Sequence, residues 1–169
     1  MIAQQVAIDF PEKIEKLVLC STSCGASKGI SPSPELTQFL VDRAHGKLTD
    51  EEITTMRVNY CFPAEFQQAH PDDVAYFLEK TARNMMSPDH FNRQLQAVMV
   101  FNSARFLKNV QAPTLILHGK QDELTPPGNA EILAKYISGA RVAYSEQCGH
   151  ALYTVISNLG NLGHFIQIA

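Results

Sequence analysis

The chain has 169 residues, 45% of them apolar, and a formal net charge of -3. That is enough for one ordinary domain with a sizeable core, and the scattered Lys and Arg leave no basic footprint for nucleic acid or an anionic membrane. No apolar run approaches the ~20 residues needed to span a bilayer, and residues 1–8 carry neither a basic n-region nor an apolar h-region, so a cytoplasmic setting is expected.

Ile2, Val6, Ala7 and Phe10 recur at helical spacing and Pro11 follows, which predicts a helix over 2–9. Lys16-Leu17-Val18-Leu19-Cys20-Ser21-Thr22 has four consecutive apolar residues between a charged turn and small polar residues. That pattern predicts a strand buried on both faces of a parallel sheet. From 25 to 106 the pattern is helical, with about four helices expected. Ser33-Pro34-Glu35 opens the first, with Leu36, Phe39 and Leu40 on its apolar stripe. Thr49-Asp50-Glu51-Glu52 is a capping box ahead of Ile53, Met56 and Tyr60. Pro71-Asp72-Asp73 opens a helix with Val74, Phe77 and Leu78 inward, and Ser87-Pro88-Asp89 opens one carrying Phe91, Leu95, Val98 and Met99. Residues 103–109 read as helix-like.

Thr114-Leu115-Ile116-Leu117-His118-Gly119 is then a strand with a sharp exit, 130–137 an amphipathic helix ended by Gly139, and 141–145 a short, more exposed strand. A last helix is expected to start at 151–156, interrupted by Gly160 and Gly163. Cys20, Cys24, Cys61 and Cys148 lack C-x-x-C pairing and read as free, mostly buried thiols. No phosphate-cradling glycine loop and no cluster with metal-ligand spacing is found, so neither cofactor nor metal is expected.

The order strand, helical stretch, strand, Asp, helix, strand, Gly-His resembles the C-terminal half of the α/β-hydrolase fold. Residues Pro113 to Asp122 look like that family's seventh strand and catalytic acid, with Thr125-Pro126-Pro127 following. Gln147-Cys148-Gly149-His150-Ala151 looks like its histidine loop, 28 residues after the acid. Residues 2–22 resemble the helix after the nucleophile and the sixth strand. The resemblance implies an α/β fold, a partial α/β-hydrolase of about three parallel strands with flanking helices. It divides the chain into a partial core (1–24 and 107–169) and a helical cap insertion (25–106).

It also implies roles. Asp122 and His150 are the candidate catalytic acid and base, and Thr22 and Leu124 candidate substrate-binding residues. The family's nucleophile stands on a G-x-S-x-G elbow between a strand and a helix, and no G-x-S-x-G is expected anywhere in these residues. The expectation is a truncated family member whose intact relative hydrolyses a small ester, lactone or similar acyl substrate. Cys148, two residues from His150, is the alternative nucleophile to weigh, and His118 reads as a packing residue at a strand end. A rival reading is a non-catalytic interaction module. The strand at 17–22 would lack a neighbour, so a homodimer or a complementary N-terminal fragment is the expected partner, with no nucleic acid or membrane involved.

Overall fold

The computed structural model describes residues 1–152 and the backbone of 167–168. Strands β1 (Leu17–Cys20), β2 (Thr114–Gly119) and β3 (Arg141–Ser145) are parallel and adjacent in that order, and β4 (Gln167–Ile168) pairs antiparallel with β3. In register, Leu19 lies opposite Ile116, and Ile116 opposite Val142. Parallel neighbours require crossovers. The β1-to-β2 crossover is the long helical stretch, and the β2-to-β3 crossover is α7 (Gly128–Tyr136).

Alternation along the strands divides the apolar residues between two cores, one on each face of the sheet. Leu17, Leu19, Ile116 and Val142 face one core with Ala7, Leu107, Leu133 and Ile137. Leu117 and Ala143 face the other, which they share with Leu36, Phe39, Tyr60, Phe62, Phe66 and Phe77. The helical stretch is therefore packed onto the sheet.

Helix α1 (Ile2–Asp9) lies where its period predicts, but its inward face differs from the expected one. Gln4 and Ala7 are buried, whereas Ile2, Val6 and Phe10 are exposed. The reason is a polar network. Gln4 Nε2 donates to the Thr22 hydroxyl and the Ser23 carbonyl, and Gln4 Oε1 accepts from Ser103 Oγ at 2.7 Å, so a buried amide is satisfied at both ends. Strand β1 likewise buries one face only. Leu17 and Leu19 point in, while Val18 is 52% exposed and Cys20 is exposed, correcting the expectation of burial on both faces.

The helical stretch holds five helices rather than about four: α2 (Pro34–Ala44), α3 (Asp50–Cys61), α4 (Ala64–Ala69), α5 (Pro71–Arg83) and α6 (Pro88–Val100). The Ser33, Thr49 and Ser87 caps form as expected, Thr49 with the reciprocal Glu52 bond of a capping box. The unexpected α4 has six residues and no side-chain cap, so neither period nor cap announces it. No residue of α6 is buried, and Val98 and Met99 face outward. Residues 103–109 form only a short 3-10 turn at Leu107–Asn109. Strand β3 is more buried than expected because β2 and β4 flank it, leaving Val142, Ala143 and Ser145 inside. Beyond residue 152, the helix expected over 151–156 falls outside the described residues.

Candidate active site

The C-terminal ends of parallel strands are where an α/β sheet collects its chemistry, because the connections there leave a crevice lined by loops. The turns after β2 and β3 are laced together by main-chain bonds, Lys120 N–H to the Ser145 carbonyl at 2.9 Å and Gln121 N–H to the Cys148 carbonyl at 3.0 Å. Gly119 makes the approach feasible: any Cβ there would run into the Cys148 and Gly149 carbonyl oxygens. Asp122 and His150 are thereby brought into contact. His150 Nδ1 lies 2.9 Å from Asp122 Oδ2 and 3.2 Å from Oδ1.

Asp122 is 2% exposed and bound on every side. Thr125 N–H donates to Oδ1 at 2.7 Å, and His118 Nε2 lies 3.5 Å from Oδ2. Burial on its own would raise the Asp122 carboxyl, but the hydrogen bonds from His118 and His150, the charge of His150 and the Thr125 N–H together hold it below the ordinary carboxylate range. An ionised Asp122 can only accept, so His150 donates through Nδ1–H and keeps the Nε2 lone pair for another partner. No described residue occupies Nε2.

His118 is more than packing. It is fully buried, and its Nε2 lies 2.7 Å from the Thr125 carbonyl. A carbonyl cannot donate, so that nitrogen carries the proton, and His118 closes the same Asp122–Thr125 turn that holds the carboxylate. Its Nδ1 is buried without a partner. The sequence reading missed this role; the signal available was a His placed i,i+4 to the acid at a strand end.

The histidine loop hangs on helix α3. His150 N–H donates to the Tyr60 carbonyl and Ala151 N–H to the Cys61 carbonyl, each at 3.2 Å, using acceptors that a helix C-terminus leaves free. Gly149 permits the contact, since a Cβ there would sit 2.6 Å from the Cys61 carbonyl oxygen. The Tyr60 ring meets the His150 ring edge-on, with centroids 6.5 Å apart.

Among the described residues no nucleophile is seated beside His150. The letters G-x-S-x-G do occur once, at Gly25-Ala26-Ser27-Lys28-Gly29, which corrects the expectation that the motif is absent. It is not an elbow between a strand and a helix: Gly25 pairs with Asn102 and the exposed Ser27 hydroxyl donates to Asn102 Oδ1 at 2.8 Å. Ser21, one residue past β1, has a left-handed backbone (φ 42°) and a buried hydroxyl with no partner. Cys148 is buried, its sulfur accepts from Ser145 Oγ, and burial pushes its thiol up, which disfavours a thiolate; Cys61 is pushed up to about 12, chiefly by burial.

Thr22 lies at the end of β1, buried, with its hydroxyl bonded to Gln4 and the Met1 amine, and Leu124 packs against the core that contains Tyr60. Among the described residues no group of three or more His, Cys, Asp or Glu is placed to hold a metal ion, and no helix is long and apolar enough to cross a membrane.

Residues 1–155 match the family described as alpha/beta hydrolase fold. The chain is 27% identical over 158 residues to a pimeloyl-[acyl-carrier protein] methyl ester esterase of Nitrosomonas europaea, covering 89% of this chain and 60% of that protein. It is 26% identical over 153 residues to a 2-hydroxy-6-oxononadienedioate/2-hydroxy-6-oxononatrienedioate hydrolase of Klebsiella pneumoniae, covering 85% of this chain and 50% of that one. The crystal structure of an enol-lactonase from Burkholderia xenovorans superposes with a TM-score of 0.72 at 19% identity, over 94% of this chain and 61% of that chain. The chain thus spans between half and three-fifths of the length of these relatives.

Proposed function

This chain belongs to the alpha/beta hydrolase fold family, and from that premise we propose that Asp122 and His150 are the acid and base of a serine-type hydrolysis of a small ester or lactone. The observation that carries this reading is the 2.9 Å contact between His150 Nδ1 and a buried Asp122 whose other oxygen is held by Thr125. The relatives' names, an esterase and a dioate hydrolase, support acyl-type chemistry. Residues 25–106 are read as the cap over the site, because their core is continuous with the loop that carries His150.

In the proposed mechanism Asp122 stays ionised and fixes the His150 tautomer. The Nε2 lone pair takes the proton of a serine hydroxyl as that oxygen attacks the acyl carbon. The resulting imidazolium, stabilised by Asp122, then gives the proton to the leaving alkoxide. In the second half His150 deprotonates a water, which releases the acid and restores the serine. That serine is read as lying outside these 169 residues, since neither Ser27 nor Cys148 is arranged to act.

The 169-residue chain on its own is therefore expected to give no His150-dependent hydrolysis of p-nitrophenyl acetate, and wild type and His150→Ala should be indistinguishable. Turnover abolished by His150→Ala would locate the nucleophile within the chain and overturn that part of the reading. The acid–base pair is tested separately: a downfield Nδ1–H proton resonance of His150 should disappear in Asp122→Asn.

A second reading is favoured by one observation, the position of β1 at the end of the sheet, paired among the described residues only with β2 and carrying the exposed Val18. On this reading the chain associates through that edge, with a second copy or with a complementary N-terminal fragment of a hydrolase. The four cysteines are all free, which suits a cytoplasmic setting.

A further inference from the structure

Arg43, in the last turn of α2, is 6% exposed. Its guanidinium stacks 3.9 Å above the Phe91 ring, its Nε has no hydrogen-bond partner, and among the described residues no carboxylate pairs with it. The charged and titratable neighbours that act on it are Tyr60 and a second cation, Arg57. Arg57 also acts on Tyr60 and lies over the Phe77 ring at 5.6 Å. Two guanidinium groups thus converge on one tyrosine.

Such an arrangement is unfavourable as it stands. A guanidinium loses most of its hydration on burial, and stacking on one aromatic face offsets only part of that loss. A nearby second cation adds repulsion. Buried arginines are ordinarily compensated by a carboxylate or phosphate, for which the Nε–Nη side of the fork is shaped to give two parallel hydrogen bonds. On Arg43 the Nε of that side is the atom left over.

The position is connected to the proposed reaction centre through ring contacts. Phe39, one turn before Arg43 on α2, meets the Tyr60 ring at 6.3 Å, and Tyr60 meets His150 at 6.5 Å. The arginines and the base are therefore all neighbours of Tyr60. We propose that Arg43, with Arg57 beside it, forms an anion-binding subsite for a carboxylate carried by the acyl substrate at the end remote from the scissile carbonyl. This rests on the reading of Asp122 and His150 as an acyl-transfer pair, and it narrows the substrate from any small ester or lactone to an anionic one.

The test uses the 169-residue chain and does not depend on turnover. Glutarate, its monomethyl ester and its neutral dimethyl ester are titrated while the Arg43 Nε–Hε resonance is followed by proton–nitrogen NMR. Glutarate and the monomethyl ester should shift that resonance saturably and the dimethyl ester should not. Arg43→Gln should weaken glutarate binding by about tenfold or more, and Arg57→Gln, at a partly exposed position, by several-fold. The Arg57 variant keeps the test open if Arg43→Gln does not fold. A response to the dimethyl ester equal to that of glutarate, unchanged binding in both variants, or a preference for inorganic phosphate over every carboxylate would overturn the proposal. A silent Arg43 resonance beside an intact His150 Nδ1–H signal would remove the subsite alone. Carboxylate binding without that signal would remove the catalytic reading and leave the subsite standing.

Discussion

Asp122 concentrates the residue-scale physics of this protein. A carboxylate at 2% exposure is tolerated because three donors converge on it, from His118, His150 and Thr125. Its folded-state affinity for protons is held below the ordinary value, so the stability it contributes is present above the ordinary carboxylate range and lost as the pH falls through the depressed folded value. Asp122→Asn should therefore lower the urea midpoint at pH 7, with the gap to wild type narrowing at about pH 3 and below. A gap of the same size at both pH values would contradict this account. Asp122 and His150 were both legible in the sequence as strand-end residues in the right order. Two others were not: His118, whose role depends on the Thr125 carbonyl folding back to meet it, and Arg43, whose burial no helical period discloses.

Among the elements, the join between α3 and the histidine loop matters most to the site. The carbonyls of Tyr60 and Cys61 hold the backbone of His150 and Ala151, and the glycine at 149 leaves no room for a side chain. Gly149→Ala should cost about 1–3 kcal/mol, as overpacking against fixed backbone does, read from urea denaturation. Because the strain falls on the residue before His150, the same variant should also shift the His150 Nδ1–H resonance. An alanine accepted with neither change would show that the two elements can separate freely. Helix positions were largely readable here because Ser33, Thr49 and Ser87 act locally: each cap satisfies N–H groups within its own first turn. Burial was harder to read. The apolar residues of α1 and α6 follow a helical period, yet Ile2, Val6, Val98 and Met99 face outward, since periodicity reports a stripe but not what covers it.

At the scale of the whole molecule, the sheet has one well-covered side and one open edge. Strand β2 lies between two parallel partners with apolar cores on both faces, whereas β1 is paired on one side only among the described residues and shows Val18 at 52% exposure. An apolar strand at a sheet edge favours association. At micromolar concentration light scattering should detect self-association of the wild-type chain, and Val18→Lys should reduce it while leaving the unfolding free energy from urea denaturation within about 0.5 kcal/mol, as expected for an exposed position. A wild-type chain that stays monomeric, or a lysine variant that associates equally, would remove the edge as the cause.

The sequence by itself determined the elements with local causes: capped helices, the apolar run of β2 and its glycine exit, and the order of acid and histidine. It also placed Asp122 and His150 at the ends of adjacent strands, because side-chain period and turn chemistry act within a few residues. Only the tertiary structure decided that Gly119 and Gly149 are close-approach positions, that β1 is covered on one face, that Ser27 is bonded to Asn102 and not to His150, and that Arg43 is buried with no carboxylate paired to it among the described residues. Each of these depends on a residue distant in sequence, Cys148, Cys61, Asn102 and Phe91 among them. Burial and partner identity are properties of the packed chain, and no local pattern encodes them.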